Sequence, residues 1–476
     1  MIELPGTTEA PASALAVFRN RPFLILWLSQ VATQVGGNMV LYGLTVLVFT
    51  ASGSNSAVSI LLISFLAPAV IFGAVAGVYV DRFDRRLVLV ATSLVRAVLF
   101  FLLAFVGTNV GVILLLNLMV SIATTFFAPA ELSVIPRVVP RSQLTAANGI
   151  FTLTLNAAFA IGYTLLGPLV VSIAGPTILI SVVAVLYLVS AVLCWTLAPA
   201  PPLPLPAGHA TLHDAGVAVS SVFGQFREGI LYVRANPTVS WALTYLGVAA
   251  SIVGVLGALG PGFAVHVLDL TSKDFVVVVL PLGFGVVAGV LLVNAIRSMI
   301  PRRRVIEIGL VTLGICLVLI TIANPISQLL QRVSEAQPVV DASALVSVLA
   351  VVVTIAFIAG IAYATIAIPA QTELQEVIPE DVRGRVFGIL NTLVSIASFL
   401  PIIIVGPVSD AFGPAPVLLA AAGLVGLSGV GSIVFRGRPP QTPRATPDDG
   451  APIHGDAPLT PPDDEIQVPG PSPDEP

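Results

Sequence analysis

Twelve long apolar runs follow one another along the chain, and each is long enough to cross a lipid bilayer as an α-helix. A spanning helix needs roughly 20 apolar residues, because the hydrocarbon core is about 30 Å thick. The runs cover residues 23–49, 57–80, 87–107, 110–129, 144–172, 177–197, 239–265, 276–297, 305–323, 343–369, 384–408 and 415–435. The sequence therefore predicts an all-α integral membrane protein with 12 transmembrane helices.

The composition excludes a soluble globular domain. Apolar residues make up 56% of the 476 residues and charged residues only 10%, whereas a soluble domain carries about 25% charged residues. Cys194 and Cys316 both lie in apolar runs, so we expect them to pack as small hydrophobic residues and to bind no metal. The segment Met1–Val17 has no basic region ahead of an apolar core, so no cleaved signal peptide is predicted.

The basic residues lie at alternate ends of the apolar runs. If the runs cross the membrane in turn, seventeen arginines fall on one side, and only Lys273 and Arg332 fall on the other. Basic residues near the ends of spans remain in the cytoplasm. The pattern predicts an even number of spans, both termini in the cytoplasm, and a multi-pass protein of the plasma membrane.

Two proline-rich segments divide the chain. The region 199–235 separates six runs from six, and its part Val217–Tyr232 is expected to form an amphipathic helix on the membrane surface. The region 439–476 holds eight of the 25 acidic residues and one of the 21 basic residues, and this composition predicts a disordered tail. The predicted organisation is a bundle over 1–198, a linker over 199–235, a bundle over 236–438 and the tail.

The two halves repeat each other. Gly149 matches Gly388 at an offset of 239, and Gly175-Pro176 matches Gly413-Pro414 at an offset of 238. Matched positions follow even numbers of spans, so the repeat is parallel. This layout resembles that of transporters built from two parallel repeats, and the resemblance implies a substrate site between the halves near the bilayer midplane. The basic turns ahead of these positions match at an offset of only 218, and a longer polar loop, Ala323–Asp341, explains most of the difference.

Three sequence motifs at the arginine-bearing turns are the most specific indication of a protein family. They read Gly73-Ala-Val-Ala-Gly77-Val-Tyr79-Val-Asp81-Arg82-Phe83-Asp84-Arg85-Arg86, Phe126-Phe127-Ala-Pro129-Ala-Glu131-Leu-Ser-Val-Ile-Pro136-Arg137, and Pro369-Ala-Gln-Thr-Glu373-Leu-Gln-Glu376-Val-Ile-Pro379-Glu-Asp381-Val-Arg383-Gly384-Arg385. The first resembles the signature of the major facilitator superfamily, with Asp84 in place of a glycine. The other two look like its 12-helix efflux branch, which includes macrolide-efflux-type and enterobactin-exporter-type proteins.

This resemblance implies a cytoplasmic charge network that holds a gate shut while the cavity faces outward. Its members are Asp81, Arg82, Arg85, Arg86, Glu131, Arg137, Glu373, Glu376, Arg383 and Arg385. The alternative is a set of ordinary positive-inside anchors with solvated acidic partners, each contributing little. Acids recur beside the arginines in both halves, which favours the gate.

Polar residues inside the runs are candidates to line a cavity. They are Gln30, Gln34, Asn38, Tyr42, Arg96 and Asn156. A charge at the depth of Arg96 is costly, so it either faces a cavity or forms a structural pair with Glu131. Relatives often carry an aspartate near Gly36–Asn38, where this chain has Gly37, so the residues leave proton coupling open.

Glycines and prolines at fixed spacing indicate helix packing or bending. Gly73 and Gly77 lie four residues apart, so they are expected to clear one helix face for a close neighbour. Gly167-Pro168 partly matches a glycine-proline element of exporters, and Gly406-Pro407 occupies the same place in the second half. A plain kink and a functional bend are equally compatible with this pattern.

Together these features favour a secondary active transporter that exports small amphipathic or hydrophobic compounds by proton antiport. Its expected partners are a small-molecule substrate, the lipid bilayer and protons, with no nucleic acid, no cofactor and a monomeric state. The sequence has no Walker-type loop that would indicate ATP as the energy source. The alternatives are a metabolite uptake transporter, a non-transporting sensor and a membrane-embedded transferase, although the four histidines are too scattered for a catalytic group.

Overall fold

A computed structural model describes residues 14–80, 82–199, 231, 233–268, 270–334, 342–377 and 383–435. The predicted tail lies outside these residues, as does nearly all of the predicted surface helix Val217–Tyr232. The described residues form an all-helical protein without strands.

Twelve helices account for the predicted spans. They are α1 (Arg21–Ser52), α2 (Asn55–Val80), α3 (Arg85–Leu103), α4 (Val110–Val138), α5 (Leu144–Ala158, Phe159–Leu166 and Gly167–Ala174 in succession), α6 (Pro176–Trp195), α7 (Pro237–His266), α8 (Val276–Ile296), α9 (Arg302–Ser334), α10 (Ala342–Val377), α11 (Arg383–Phe412) and α12 (Pro414–Phe435). Eleven of them are long and apolar enough to cross a membrane, and α11 contributes the shorter apolar stretch Phe399–Phe412.

One predicted loop is partly helical. The segment Ala323–Asp341 is expected from its polarity to be a loop, but α9 continues to Ser334. Its sequence Gln-Leu-Leu-Gln-Arg consists of residues with high helix propensity. A helix already formed in the membrane extends through such residues at little cost, because only nucleation is unfavourable.

The structure confirms the parallel repeat at the turn before the last helix of each half. Gly175 has φ 84° and Gly413 has φ 85°, both in the left-handed region that favours glycine. Pro176 begins α6 and Pro414 begins α12, in the first helical position where a proline loses no hydrogen bond. The same two residues therefore make the same turn in each half.

Helix α5 packs very closely against α1. Its middle segment Phe159–Leu166 is π-helical, a form that is rare and often found at functional sites. A Cβ atom on Gly162 would lie 2.6 Å from the Val35 carbonyl oxygen, and one on Gly167 would lie 3.0 Å from Tyr42 Cβ. Any larger residue at these positions would push α5 away from α1.

The apolar core is shared by the halves at one end and divided at the other. One cluster joins Leu44 and Leu61 of the first half to Leu259 and Val405 of the second. Two smaller clusters lie near the arginine-bearing turns, one confined to the first half around Phe127 and one confined to the second half around Leu243. We call these two ends the joined end and the arginine-rich end.

Candidate functional site

Asp410 links the two halves at the joined end. Its carboxylate, at the end of α11, accepts hydrogen bonds from Ser54 Oγ at 2.6 Å, Asn55 N at 2.7 Å and Ser56 N at 3.0 Å. The two amides are unpaired donors of the first turn of α2, where the helix dipole also favours an anion. Asp410 therefore caps a helix that belongs to the other half. Sequence analysis missed this residue, because the residues it caps lie more than 350 positions away.

Other polar contacts surround this cap. Thr50 Oγ1 lies 2.7 Å from Ser272 Oγ, and Asn55 Nδ2 donates to Ser409 Oγ at 3.2 Å. Gly406 permits the close approach of α11 to α2, because a Cβ atom there would lie 2.8 Å from the Asn55 carbonyl oxygen. Gly406-Pro407 thus lies at the contact between the halves.

Aromatic side chains from both halves meet beside this contact. The Tyr42 ring stacks on Phe275 with centroids 6.1 Å apart and meets Tyr163 edge-on at 5.7 Å, and Tyr163 stacks on Phe159 at 5.3 Å. The buried Tyr42 hydroxyl has no hydrogen-bond partner among the described residues. Of these four residues sequence analysis selected only Tyr42, since isolated aromatic residues in apolar runs do not stand out.

At the arginine-rich end of the first half, the contacts of the basic residues include backbone carbonyls and aromatic rings. Asp84 caps the start of α3 by accepting from Arg86 N at 2.9 Å, which explains how aspartate replaces the usual glycine. Arg86 donates to the Trp195 carbonyl and lies 4.8 Å from the Trp195 ring centroid. Arg82 lies over Tyr79 at 5.6 Å, while Arg85 is buried.

In the second half, acids and arginines pair directly. Arg302 Nη2 donates to Glu376 Oε1 at 2.8 Å, in a bidentate pair on the surface. Arg303 Nε donates to Glu307 at 2.7 Å, and Ser432 Oγ donates to the same carboxylate at 2.9 Å. Arg302, Arg303 and Glu307 were not among the predicted site residues.

The predicted gate network is described only in part. Asp81 and the side chains of Arg383 and Arg385 lie outside the described residues. Glu373 is half-buried on α10, and Arg137 is exposed at the end of α4. The network as a whole therefore stays a prediction.

Glu131 and Arg96 lie inside the first bundle. Glu131 is 5% exposed and Arg96 is 1% exposed, and their opposite charges attract each other. Arg96 is enclosed by α3, α4 and α6, between the rings of Phe127 and Tyr187. The hypothesis that Arg96 faces a cavity is wrong for this conformation, because these rings enclose the guanidinium.

The other cavity candidates are divided between the bundle interior and the contact with the second half. Gln30 is buried and its Nε2 donates to the Phe151 carbonyl of α5, so it does not line a cavity as predicted. Asn38 donates to the Gln34 carbonyl within α1, and both side chains are half-buried. The side chain of Asn156 lies outside the described residues.

Gly73 and Gly77 do not have the predicted close neighbour. A Cβ atom at either position would find nothing within 4 Å in the described part of the chain. Both glycines belong to the last turns of α2, at the arginine-rich end, where each half has a core of its own. The predicted close neighbour is therefore not found among the described residues, and close packing of this face stays a prediction.

A pocket of ≈ 400 Å³ lies in the second half between α7 and α11. The described residues that line it are uncharged and include Ser240, Leu243, Thr244, Ser251 and Val394. Such a surface can bind an apolar group of a ligand, and its serine and threonine hydroxyls can hydrogen-bond polar atoms of the same ligand.

Two parallel six-helix bundles that share a core at one end and separate at the other define a membrane transporter. The Major Facilitator Superfamily family model matches residues 26–401. The chain belongs to this superfamily and is a multi-pass membrane protein.

Efflux proteins are among the relatives. The chain is 22% identical over 406 residues to the multidrug efflux pump Tap of Mycolicibacterium fortuitum, covering 82% of this chain and 90% of Tap. It is 35% identical over 101 residues to macrolide efflux protein A of Enterococcus faecalis, covering 20% of this chain and 31% of that protein. Among solved structures, the nucleoside transporter NupG matches with a TM-score of 0.63 and 15% identity, covering 88% of this chain and 100% of NupG.

Proposed function

We propose that this protein is a secondary active transporter that exports small amphipathic or hydrophobic compounds in exchange for protons. The observation that carries the proposal is the division of the core, with the halves bound together at the joined end and separate at the arginine-rich end. A transporter needs two alternative arrangements of this kind around one central site. The similarity to efflux proteins supports the direction of transport.

The arrangement described corresponds to a cleft open toward the arginine-rich end. Because basic residues mark the cytoplasmic side, we place this end in the cytoplasm together with both termini, and the protein in the plasma membrane. The cap made by Asp410 then closes the outer side. A substrate enters from the cytoplasm, and opening of the outer side requires the Asp410 hydrogen bonds to break.

The surface that meets the substrate is apolar and aromatic. Tyr42 and Phe275 are buried where the halves meet, and Tyr163 beside them is half-buried. We assign the closed end of the site to this aromatic group and its second-half wall to the pocket on α7. Aromatic faces bind flat apolar groups and also attract cations. This lining suits amphipathic compounds better than strongly anionic metabolites.

Closure at the arginine-rich end uses the predicted gate residues. The face of α2 that carries Gly73 and Gly77 receives a helix of the second half when the cleft closes there. The charges of Asp81, Arg85 and Arg86 then meet those of Glu373, Glu376 and the start of α11. Such a latch changes the balance of states without contacting the substrate.

Export can be tested in cells that lack their own multidrug pumps. The panel contains the aromatic cation ethidium, a neutral macrolide and an uncharged fluorescent dye. Cells producing the protein should accumulate several-fold less of at least one amphipathic compound than cells with the empty vector. Higher accumulation would instead indicate uptake, and equal accumulation of every compound would contradict export of this class.

A further inference from the structure

The first bundle contains a buried carboxylate without a direct partner. Glu131 Oε1 is fully buried and accepts no hydrogen bond from any described residue. Arg96 attracts it electrostatically, yet the two side chains form no ion pair within 4.0 Å. A buried charge without hydrogen bonds is costly, and in a membrane span such a residue usually has a functional role.

Arg96 has other partners of its own. Its Nε donates to the Thr92 carbonyl at 3.1 Å and its Nη2 donates to Ser93 Oγ at 3.3 Å. Its guanidinium also lies 4.2 Å from the Phe127 ring centroid and 4.6 Å from that of Tyr187. These contacts hold the cation in place whether or not Glu131 is charged.

Glu307 in the second half is the acidic residue with which Glu131 can be compared. Its carboxylate accepts from Arg303 Nε and from Ser432 Oγ, so it is a paired structural acid. Among the described helices of the first half, by contrast, Glu131 is the only acidic residue within a span. Glu307 is half-buried and its carboxylate is already paired, whereas Glu131 is buried and has an oxygen that accepts no hydrogen bond from a described residue.

A proton is the ligand that this site can accept. A hard metal cation needs several oxygen ligands, and no group of three or more His, Cys, Asp or Glu residues that could hold a metal occurs among the described residues. The guanidinium of Arg96 would also repel a metal cation. A proton needs only one carboxylate oxygen, and its binding changes the net charge of the pair from zero to one positive charge.

We propose that Glu131, beside Arg96 in the first bundle, is the site that carries the proton during export. The proposal rests on the proposed function and assigns its coupling residue. A proton enters from one side, binds a Glu131 oxygen, and leaves as a proton to the other side when the cleft reverses. The charge change alters the electrostatic balance among α3, α4 and α6, and thereby the relative stability of the two arrangements.

Among the described residues, few other titratable groups face this carboxylate. Arg96 on α3 and Cys194 on α6 interact with it electrostatically, and Tyr187 on α6 lies on the other side of Arg96. The remaining titratable residues of α1, α2 and α5 within the described ranges are Arg21, Tyr42, Tyr79 and Tyr163, of which both Tyr42 and Tyr163 belong to the aromatic contact. A pH response of the first bundle should therefore depend on Glu131.

The first experiment needs no substrate. Spin labels at Ser142 and Gln375, both exposed at the arginine-rich end, report the distance between the halves in the purified full chain between pH 5 and 9. One linked proton can change the ratio of the two states by up to about tenfold per pH unit. Glu131→Gln should hold the distance distribution at the acid limit of the wild type at every pH, whereas Glu307→Gln should leave the pH response in place.

The second experiment uses ethidium in proteoliposomes. Glu131→Gln should retain ethidium exchange at equal pH and lose accumulation driven by a pH gradient.

If Glu131→Gln keeps both the pH response and gradient-driven accumulation, Glu131 is not the proton site. If it does not fold, Glu131→Asp and Arg96→Lys should shift the midpoint of the pH response, and an unchanged midpoint overturns the proposal. If the wild type transports nothing, the export proposal fails while the distance measurement still decides the proton site.

Discussion

At the residue scale, the contact between the halves depends strongly on one carboxylate. Asp410 accepts three hydrogen bonds from the start of α2, and each bond to a charged acceptor contributes about 1.5–3 kcal/mol. Because α2 and α11 belong to different halves, these bonds form only while the joined end is closed. A residue of this kind sets the balance between the two arrangements.

Asp410→Asn should shift the protein toward opening at the joined end. An amide is uncharged and cannot accept from both amides and the hydroxyl equally well, so the population of the open state should rise about tenfold or more. Spin labels at Ile173 and Phe412, both exposed near this end, should show a longer distance.

The matched control is Asp274→Asn at the same end. Asp274 also accepts hydrogen bonds, from Thr271 N at 3.0 Å and Thr271 Oγ1 at 2.6 Å, but within its own half. This variant should leave the label distance unchanged. An equal change in both variants, or none in Asp410→Asn, would show that Asp410 does not hold the halves together.

At the scale of helices, glycines have different uses in α5 and α2. In α5, Gly162 and Gly167 lie against α1, where no Cβ atom fits. This close contact and the adjoining π-helical segment fix α5 on α1 within the first half. In α2, no described residue would lie within 4 Å of a Cβ atom on Gly73 or Gly77, and we infer that the small size of these glycines is used when the arginine-rich end closes.

Gly77→Leu should therefore leave folding intact and block the transport cycle. Leucine has a higher helix propensity than glycine by several tenths of a kcal/mol, and no described residue lies within 4 Å of a Cβ atom at this position, so thermal stability should be unchanged or slightly raised. Ethidium efflux should fall at least tenfold, because α2 can no longer approach the second half. Normal efflux by this variant would exclude a close α2 contact during closure.

Gly423→Leu provides the control for a larger residue in a helix. Gly423 is exposed on α12, and a Cβ atom there also finds nothing within 4 Å. Its efflux should match that of the wild type.

At the scale of the whole molecule, we predict that the part of the chain needed for transport ends with α12. Truncation after Pro439 should leave membrane expression and ethidium efflux unchanged, since the acidic, proline-rich composition of the remainder provides little apolar surface to bury. Fluorescence-detected size exclusion and whole-cell efflux measure the two quantities. A large loss of either would mean that the tail contributes to the transporter.

Truncation after Gly413 is the contrasting variant. It removes α12, which packs against α9, where a Cβ atom on Gly429 would lie 3.1 Å from Leu310 Cβ. Losing this helix exposes the apolar face of α9, so the shorter protein should not fold.

Much of this organisation is determined by the sequence alone, because a bilayer demands it. A span must satisfy its own backbone hydrogen bonds and match the membrane thickness, so the apolar runs specify the twelve helices. The left-handed turns at Gly175 and Gly413 likewise follow from local chemistry. The parallel repeat can be read from the sequence for the same reason, since each half makes this turn with the same glycine-proline pair.

The tertiary structure alone decided which polar residues meet. Asp410 caps a helix of the other half, Gln30 is buried against α5, and Glu131 faces Arg96 inside the bundle instead of the surface arginines. These outcomes depend on the rotation of each helix about its axis and on which neighbours it has. Nearly uniform apolar runs carry little information about that rotation, because lipid and protein interior are similarly apolar. The division of the apolar core at the arginine-rich end is decided in the same way, by contacts between residues far apart in the chain.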